Sequence, residues 1–169
     1  MSKNILITGA TSGIGRAVAL ECLKRGYKVA ATGRRAELLA ELKRAAPGRV
    51  FTYLHDVTTG GAAQIIAVAD KEMDGVNIVL INAGYGDIDL DLKEEVELKT
   101  VNTNVFGFTD AACAAYRYFK KNGGGVLGAV SSIASFRGGW AAPAYNASKA
   151  FVGNYMEGLR VKSYREKSG

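Results

Sequence analysis

A chain of 169 residues holds one domain of ordinary size and excludes two large ones. With 48% apolar residues, 22% charged residues and only 2 prolines it has the composition of a core-forming globular protein, which excludes a disordered or collagen-like chain. The net charge of +6 is spread over Arg34–Arg35, Lys43–Arg44, Lys120–Lys121 and residues 160–167, with no block interleaving bases and aromatics, so nucleic acid is not an expected partner.

Ile5-Leu6-Ile7 reads as the first strand, and its lack of polar alternation predicts burial on both faces. Residues 14–25 read as a helix with Ile14, Ala17, Val18, Leu20 and Cys22 as the apolar stripe, stopped by Gly26. The turn between them is Thr8-Gly9-Ala10-Thr11-Ser12-Gly13-Ile14-Gly15. Its glycines are not spaced as in the GxGxxG fingerprint, but they can do the same work. They permit positive φ and let backbone N–H groups approach a diphosphate at the helix N-terminus. The alternative is a tight turn that only packs the helix start.

Residues 28–32 form the second strand and residues 35–46 a helix on Leu38, Leu39 and Leu42. The junction is Thr32-Gly33-Arg34-Arg35. A dinucleotide fold that prefers NAD usually carries an acidic residue here for the ribose 2′-hydroxyl. Arginine instead can pair bidentately with a 2′-phosphate. NADP is therefore the expected cofactor and NAD the less favoured one, with Arg34 the first candidate and Arg35 the second. Residues 50–54 form the third strand, followed by Asp56-Val57, where a carboxylate could accept from an adenine amino group or simply cap a turn. Residues 61–73 read as a helix and residues 76–81 as the fourth strand. Asn82-Ala83-Gly84 follows, small enough to let a ribose pass close, or else a plain turn.

Residues 91–105 read as helical and residues 107–121 continue the helix, which Gly123-Gly124-Gly125 breaks. Residues 126–130 form the fifth strand, and residues 144–166 the last helix. Strands alternating with helices predict a doubly wound, Rossmann-type α/β sheet in three αβα layers, read as one dinucleotide-binding domain over 1–169. Ligands of such sheets bind beyond the carboxyl ends of the strands. The 21 glycines, nearly twice the usual ~7% share, are expected to gather in those strand-end loops.

Ser131-Ser132 follows the fifth strand, and Tyr145-Asn146-Ala147-Ser148-Lys149 opens the last helix. Tyr145 and Lys149 are four apart and share a helix face. A free phenol titrates near ~10, and a neighbouring ammonium stabilises its anion. Such a pair makes a workable acid/base, with the Ser132 hydroxyl to hold a substrate oxygen. Taken alone, YxxxK is also an ordinary surface helix face.

The ordered set of motifs resembles the short-chain dehydrogenase/reductase family: the TGxxxGIG turn, Asp56, Asn82-Ala83-Gly84, Asn104 in Asn104-Val105-Phe106-Gly107, Ser132, and Tyr145 with Lys149. The resemblance implies an NADP(H)-dependent oxidoreductase acting on a small-molecule carbonyl/secondary-alcohol pair. In it Tyr145 is the acid/base, Lys149 activates it and holds the nicotinamide ribose, and Ser132 orients the substrate oxygen. Asn104 would hold a relay water through its backbone, with Asn102 as the competitor. Gly9, Thr11, Ser12, Gly13, Ile14 and Gly15 would line the diphosphate, Asp56 and Val57 the adenine, and Asn82, Ala83 and Gly84 the ribose. A non-catalytic NADP-binding module, a sensor or assembly partner, is the alternative.

Members of that family usually continue into further strands and a substrate lid, whereas this sequence stops at Gly169. It is therefore expected to lack the family's last strands, as a natural short form or a fragment, and to carry little of the substrate pocket. Phe136, Arg137 and Trp140 are candidates for the mouth of that pocket. The resemblance also implies a homodimer through two long helices, residues 91–121 and the last helix from residue 144, with Phe106, Ala112, Tyr116, Phe151, Tyr155 and Leu159 as candidate contacts. No metal is expected, since His55 is the only histidine and no CxxC spacing exists. The start at Met1 lacks a signal-peptide layout, no apolar run would span a bilayer, and Cys22 and Cys113 read as buried thiols, so cytoplasm is the expected compartment.

Overall fold

The computed structural model describes residues 3–167; the Met1 start and the Gly169 end lie outside the described residues. The strands are β1 (Asn4–Thr8), β2 (Lys28–Gly33), β3 (Val50–Leu54), β4 (Ile78–Ile81) and β5 (Val126–Ala129). The helices are α1 (Gly13–Lys24), α2 (Ala36–Ala45), α3 (Ala62–Met73), α4 (Glu94–Val101), α5 (Phe108–Lys121) and α6 (Pro143–Lys167). All strand pairs are parallel and the sheet order is β3-β2-β1-β4-β5. The order reverses at β1, which has β2 on one side and β4 on the other. A doubly wound sheet places its ligand crevice at such a reversal.

Two compact units emerge, one of residues 3–83 and 106–130, the other of 84–105 and 131–167. The first holds the whole sheet, with α1, α2, α3 and α5 packed on its strands. Every residue of β1 is buried, as its unbroken apolar text requires. Its one strongly polar member, Asn4, is satisfied there: its Nδ2 donates to the carbonyls of Met73 and Gly75, each at 2.8 Å. Burial without those acceptors would cost several kcal/mol, on the order of 1–3 per unmet group.

Helix α1 corrects one sequence reading. Its buried face is Gly15, Ala19 and Leu23, while Ile14 is 60% exposed and Ala17 is also outside. Small residues at i and i+4 let the helix lie close on the sheet, so the burial stripe follows size rather than hydropathy. Val18, Leu20 and Cys22 only flank the core. Strand β4 starts at Ile78, because the Val76 amide is taken by the Tyr118 hydroxyl at 3.0 Å, outside the ladder. That hydroxyl in turn donates to Asp70. Ala112 is fully buried within this unit, so it is no candidate for a subunit contact.

In the second unit α6 packs against α4 and against a short 3-10 turn, Ile133–Phe136. Residues 91–105 are not one helix: α4 covers only Glu94–Val101 and then widens into a π-helical segment, Asn102–Gly107. π-segments are rare and recur at functional sites. Among the described residues no helix is long and apolar enough to cross a membrane.

Candidate active site

In the first unit the turn after β1 is shaped from behind by Asn82 and Ala83. Both of their amides donate to Thr8 Oγ1, at 3.0 and 3.1 Å, and Asn82 Nδ2 donates to the carbonyls of Thr8 (3.1 Å) and Gly9 (3.0 Å). Gly9 adopts φ +69°, and a Cβ there would lie 2.8 Å from the Ala83 Cα. A Cβ on Gly15 would lie 2.4 Å from both Asn82 Nδ2 and the Gly9 carbonyl oxygen. Asn82 and Ala83 thus act here as the scaffold of the turn, a part that the sequence reading did not give them.

The front of the turn is open. Gly13 adopts φ +54° with nothing within 4 Å of its missing Cβ. Ser12 caps α1 in extended geometry without a side-chain hydrogen bond to the helix, so its own hydroxyl leaves the first-turn amides uncapped. Arg35 adds positive charge, its Nη2 donating to Thr11 Oγ1 at 2.9 Å and Ser12 Oγ at 2.7 Å. Uncapped first-turn amides, a helix N-terminus and a guanidinium together suit an anion. Gly33 permits this arrangement, since a Cβ there would sit 2.5 Å from Thr11 Cγ2.

Arg34 lies beside Asp56, Nη1 to Oδ2 3.7 Å, with its side chain 64% exposed. Asp56 Oδ1 accepts from the Thr58 amide (2.9 Å) and hydroxyl (2.8 Å), capping the short turn Val57–Thr59. Burial works to raise the Asp56 carboxyl, but the Thr58 bonds and the Arg34 guanidinium hold it below its ordinary value. The Val57 side chain faces Gly107, where a Cβ would come within 2.8 Å of Val57 Cγ2.

In the second unit Tyr145 and Lys149 stand one turn apart on α6, with Lys149 Nζ 5.8 Å from the centre of the Tyr145 ring. Lys149 is 6% exposed, and burial pushes its ammonium below the ordinary lysine value. Ser132 precedes the Ile133–Phe136 turn and caps it, its Oγ accepting from the Ala134 amide at 3.1 Å. The hydroxyl proton is not used in that bond. The Ser131 hydroxyl donates to the Lys149 carbonyl at 3.1 Å, and Asn146 Nδ2 donates to the carbonyls of Ala134 (3.0 Å) and Arg137 (2.8 Å). The serine-bearing loop is thereby pinned to α6.

Burial separates Asn104 from Asn102. Asn102 is exposed, whereas Asn104 is 1% exposed inside the π-segment. Asn104 Oδ1 accepts from the Tyr85 amide (2.8 Å), and its Nδ2 donates to the Tyr85 carbonyl (2.7 Å) and to Ser148 Oγ (2.9 Å). Ser148 then donates to the Tyr145 carbonyl at 2.8 Å. Gly84 is exposed at the start of this segment. Phe136, Arg137 and Trp140 do share a depression of about 430 Å³, but it opens onto Pro143, Ala147 and Ala150, and neither Ser132 nor Tyr145 lines it.

A family model described as short chain dehydrogenase matches residues 3–167. The chain belongs to the short-chain dehydrogenase family. An uncharacterized oxidoreductase of Myxococcus xanthus (strain DK1622) is 38% identical over 165 residues, covering 94% of this chain and 65% of its own length. L-rhamnose 1-dehydrogenase (NAD(P)(+)) of Azotobacter vinelandii is 33% identical over 172 residues, covering 95% and 67%. The solved structure of ElxO with NADP bound superimposes with a TM-score of 0.81 at 30% identity, covering 90% of this chain and 64% of that one. This short-chain dehydrogenase therefore spans about two thirds of the length of those relatives.

Tyr85, Gly86, Ser131 and Ser148 have no role in the sequence reading, although Ser131 and Ser148 stand within its motifs. Ser148 stands inside the Tyr145–Lys149 text and could have been suspected from its helix position, three after Tyr145. The others act through contacts remote in sequence. One consequence of Lys149's burial is measurable. Its folded value lies below the reference 10.5, so between the two the unfolded chain holds the proton that the folded chain has released. In that window stability rises with pH, and below it the cost of burying the charge is full. The stability of the wild-type dehydrogenase relative to Lys149→Met is expected to increase from pH 7 towards 10.5. Urea midpoints of the two proteins across that range would show it; a flat or falling difference would contradict it.

Proposed function

We propose that this chain belongs to an NADP(H)-dependent oxidoreductase that interconverts a carbonyl and a secondary alcohol. The observation that carries this reading is the buried Lys149 ammonium one helical turn from Tyr145, 5.8 Å from its ring. A charge held away from water is little screened. In reduction the Tyr145 hydroxyl gives its proton to the substrate oxygen; in oxidation the phenolate takes the proton from the alcohol. Ser132, with its hydroxyl proton uncommitted to the turn it caps, donates to the substrate oxygen and fixes its orientation. Asn104 holds the segments on which Tyr145 depends.

The first unit supports the cofactor assignment. The open face at Gly13, the first-turn amides that the Ser12 hydroxyl leaves uncapped and the Arg35 guanidinium fit a diphosphate. Arg34 fits a 2′-phosphate, because its tie to Asp56 is long and its side chain is mostly exposed. The cofactor, when bound, would supply the hydride as NADPH in reduction and accept it as NADP+ in oxidation. The NADP in ElxO supports the same choice, and the NAD(P)(+) in the name of the Azotobacter relative supports a nicotinamide dinucleotide of either kind. Arg34→Ala is expected to weaken NADPH binding by about tenfold or more, the loss of a charged hydrogen bond, and NADH binding hardly at all. Titration of both nucleotides checks this; equal losses would remove Arg34 from the 2′-phosphate.

NADPH oxidation over a panel of ketones and aldehydes tests the whole reading. Turnover supports it. Binding of NADPH with no turnover on any of them would select a dinucleotide-binding module instead. The partner chemistry within this reading is a small-molecule carbonyl or alcohol and a second copy of the chain, for which the Phe151 and Tyr155 rings, 5.5 Å apart on α6, offer an aromatic pair.

A further inference from the structure

Gly86 lies in the extended segment between β4 and α4, in an ordinary backbone region with no positive φ. Backbone freedom therefore does not explain a glycine here. Space does. A Cβ on Gly86 would fall 2.3 Å from Tyr145 Cδ2, 2.7 Å from Cε2 and 2.9 Å from Cγ. The backbone of Gly86 is thus laid directly against the Tyr145 ring, and contacts this short are closed to any side chain.

The segment that presses on the ring is itself held. Asn104 grips the residue before Gly86 with two side-chain hydrogen bonds, one to the Tyr85 amide and one to its carbonyl. Asn104 Nδ2 also donates to Ser148 Oγ, and Ser148 donates to the Tyr145 carbonyl. Lys99 Nζ stands 4.0 Å over the Tyr85 ring and adds a cation–π contact to the same segment. Two further bonds fix the entry to α6: the Asp89 amide donates to the Ala141 carbonyl (2.8 Å), and Glu97 Oε2 accepts from the Ala144 amide (3.0 Å). Both flanks of Tyr145 are therefore anchored to residues 84–105.

We propose that Gly86 is a positioning residue that sets the orientation of the Tyr145 ring, and that the Asn104 side chain holds Gly86 in place to do so. This rests on Tyr145 as the acid/base, but the contact itself does not. Gly86→Ala must rotate or displace the ring, and a shift of about 1 Å in a reacting group lowers rate by about 10²-fold.

The test is a double-mutant cycle with two readouts. The first is stability: the unfolding midpoints of wild type, Gly86→Ala, Tyr145→Ala and the double variant. Gly86→Ala is expected to lower the midpoint in the wild-type background and to do so much less when the Tyr145 ring is gone. If Gly86→Ala alone does not fold, a folded double variant carries the same conclusion. Equal losses in both backgrounds, or failure of both to fold, would overturn the contact. The second is kinetic: Gly86→Ala is expected to lower kcat about 10²-fold with NADPH affinity unchanged. An unchanged kcat in an active enzyme would overturn the positioning role. Absence of turnover in the wild type would instead count against the oxidoreductase reading, and the stability cycle would still decide the contact.

Discussion

Tyr145→Phe is expected to lower kcat by about 10²–10⁴-fold, the usual contribution of a positioned acid/base. NADPH affinity is expected to stay within about twofold, because the change removes an interaction that matters only as the proton moves. The substitution is structurally mild. The Tyr145 ring persists, so the surface that Gly86 rests on persists too. The Ser148 bond goes to the Tyr145 carbonyl and is untouched. The neighbouring polar groups on α6 are otherwise engaged. Lys149 is buried beside the ring and Asn146 is committed to two carbonyls of the serine loop. Stopped-flow NADPH oxidation with a ketone that the wild type reduces, paired with a nucleotide titration, separates the two quantities. A fall in kcat of less than tenfold would move the proton transfer elsewhere; a matching loss of NADPH binding would make Tyr145 a binding residue.

Much of the architecture is legible in the sequence because it is carried by local patterns. β1 is apolar throughout and is buried throughout. β3 has the same bounds in sequence and structure, Val50–Leu54. Where the physics turns on close approach, pattern reading fails. In α1 the stripe was sought among large apolar residues, and the packed face proved to be Gly15, Ala19 and Leu23. A hydropathy count is blind to a glycine that is buried because it is small. Residues 102–107 read as ordinary helix, yet they widen into a π-turn whose buried Asn104 bonds across 19 and 44 residues. No spacing rule announces such partners. The same limit hides Gly86, whose reason for being glycine is a ring 59 positions further along. Motif text identified Tyr145, Lys149 and Ser132 as candidates, but not the side chains that hold them in place.

The other large effect is expected in the first unit, at Gly15. Gly13 and Gly15 stand two apart in one turn and look equivalent in the sequence, but their surroundings differ. Gly13 has positive φ and open space around it, so Gly13→Ala meets only backbone strain, about 1–2 kcal/mol. Gly15 has no such φ but faces Asn82 Nδ2 and the Gly9 carbonyl, each 2.4 Å from where a Cβ would sit. Gly15→Ala must push α1 away from the turn or drive the Asn82 amide off the carbonyls of Thr8 and Gly9. Overpacking of this kind costs about 1–3 kcal/mol, and stranding buried acceptors adds about 1–3 more. A net loss of about 3 kcal/mol would lower the unfolding midpoint by about 6–12 °C for a chain of this size. Because the damaged turn is also the proposed diphosphate cradle, NADPH is expected to restore little of that loss to Gly15→Ala, while it stabilises the wild type by mass action. Thermal melts of wild type, Gly13→Ala and Gly15→Ala with and without NADPH make the comparison. Equal midpoints for the two variants would show that the turn yields at Gly15, and a full NADPH shift in Gly15→Ala would place the cradle elsewhere.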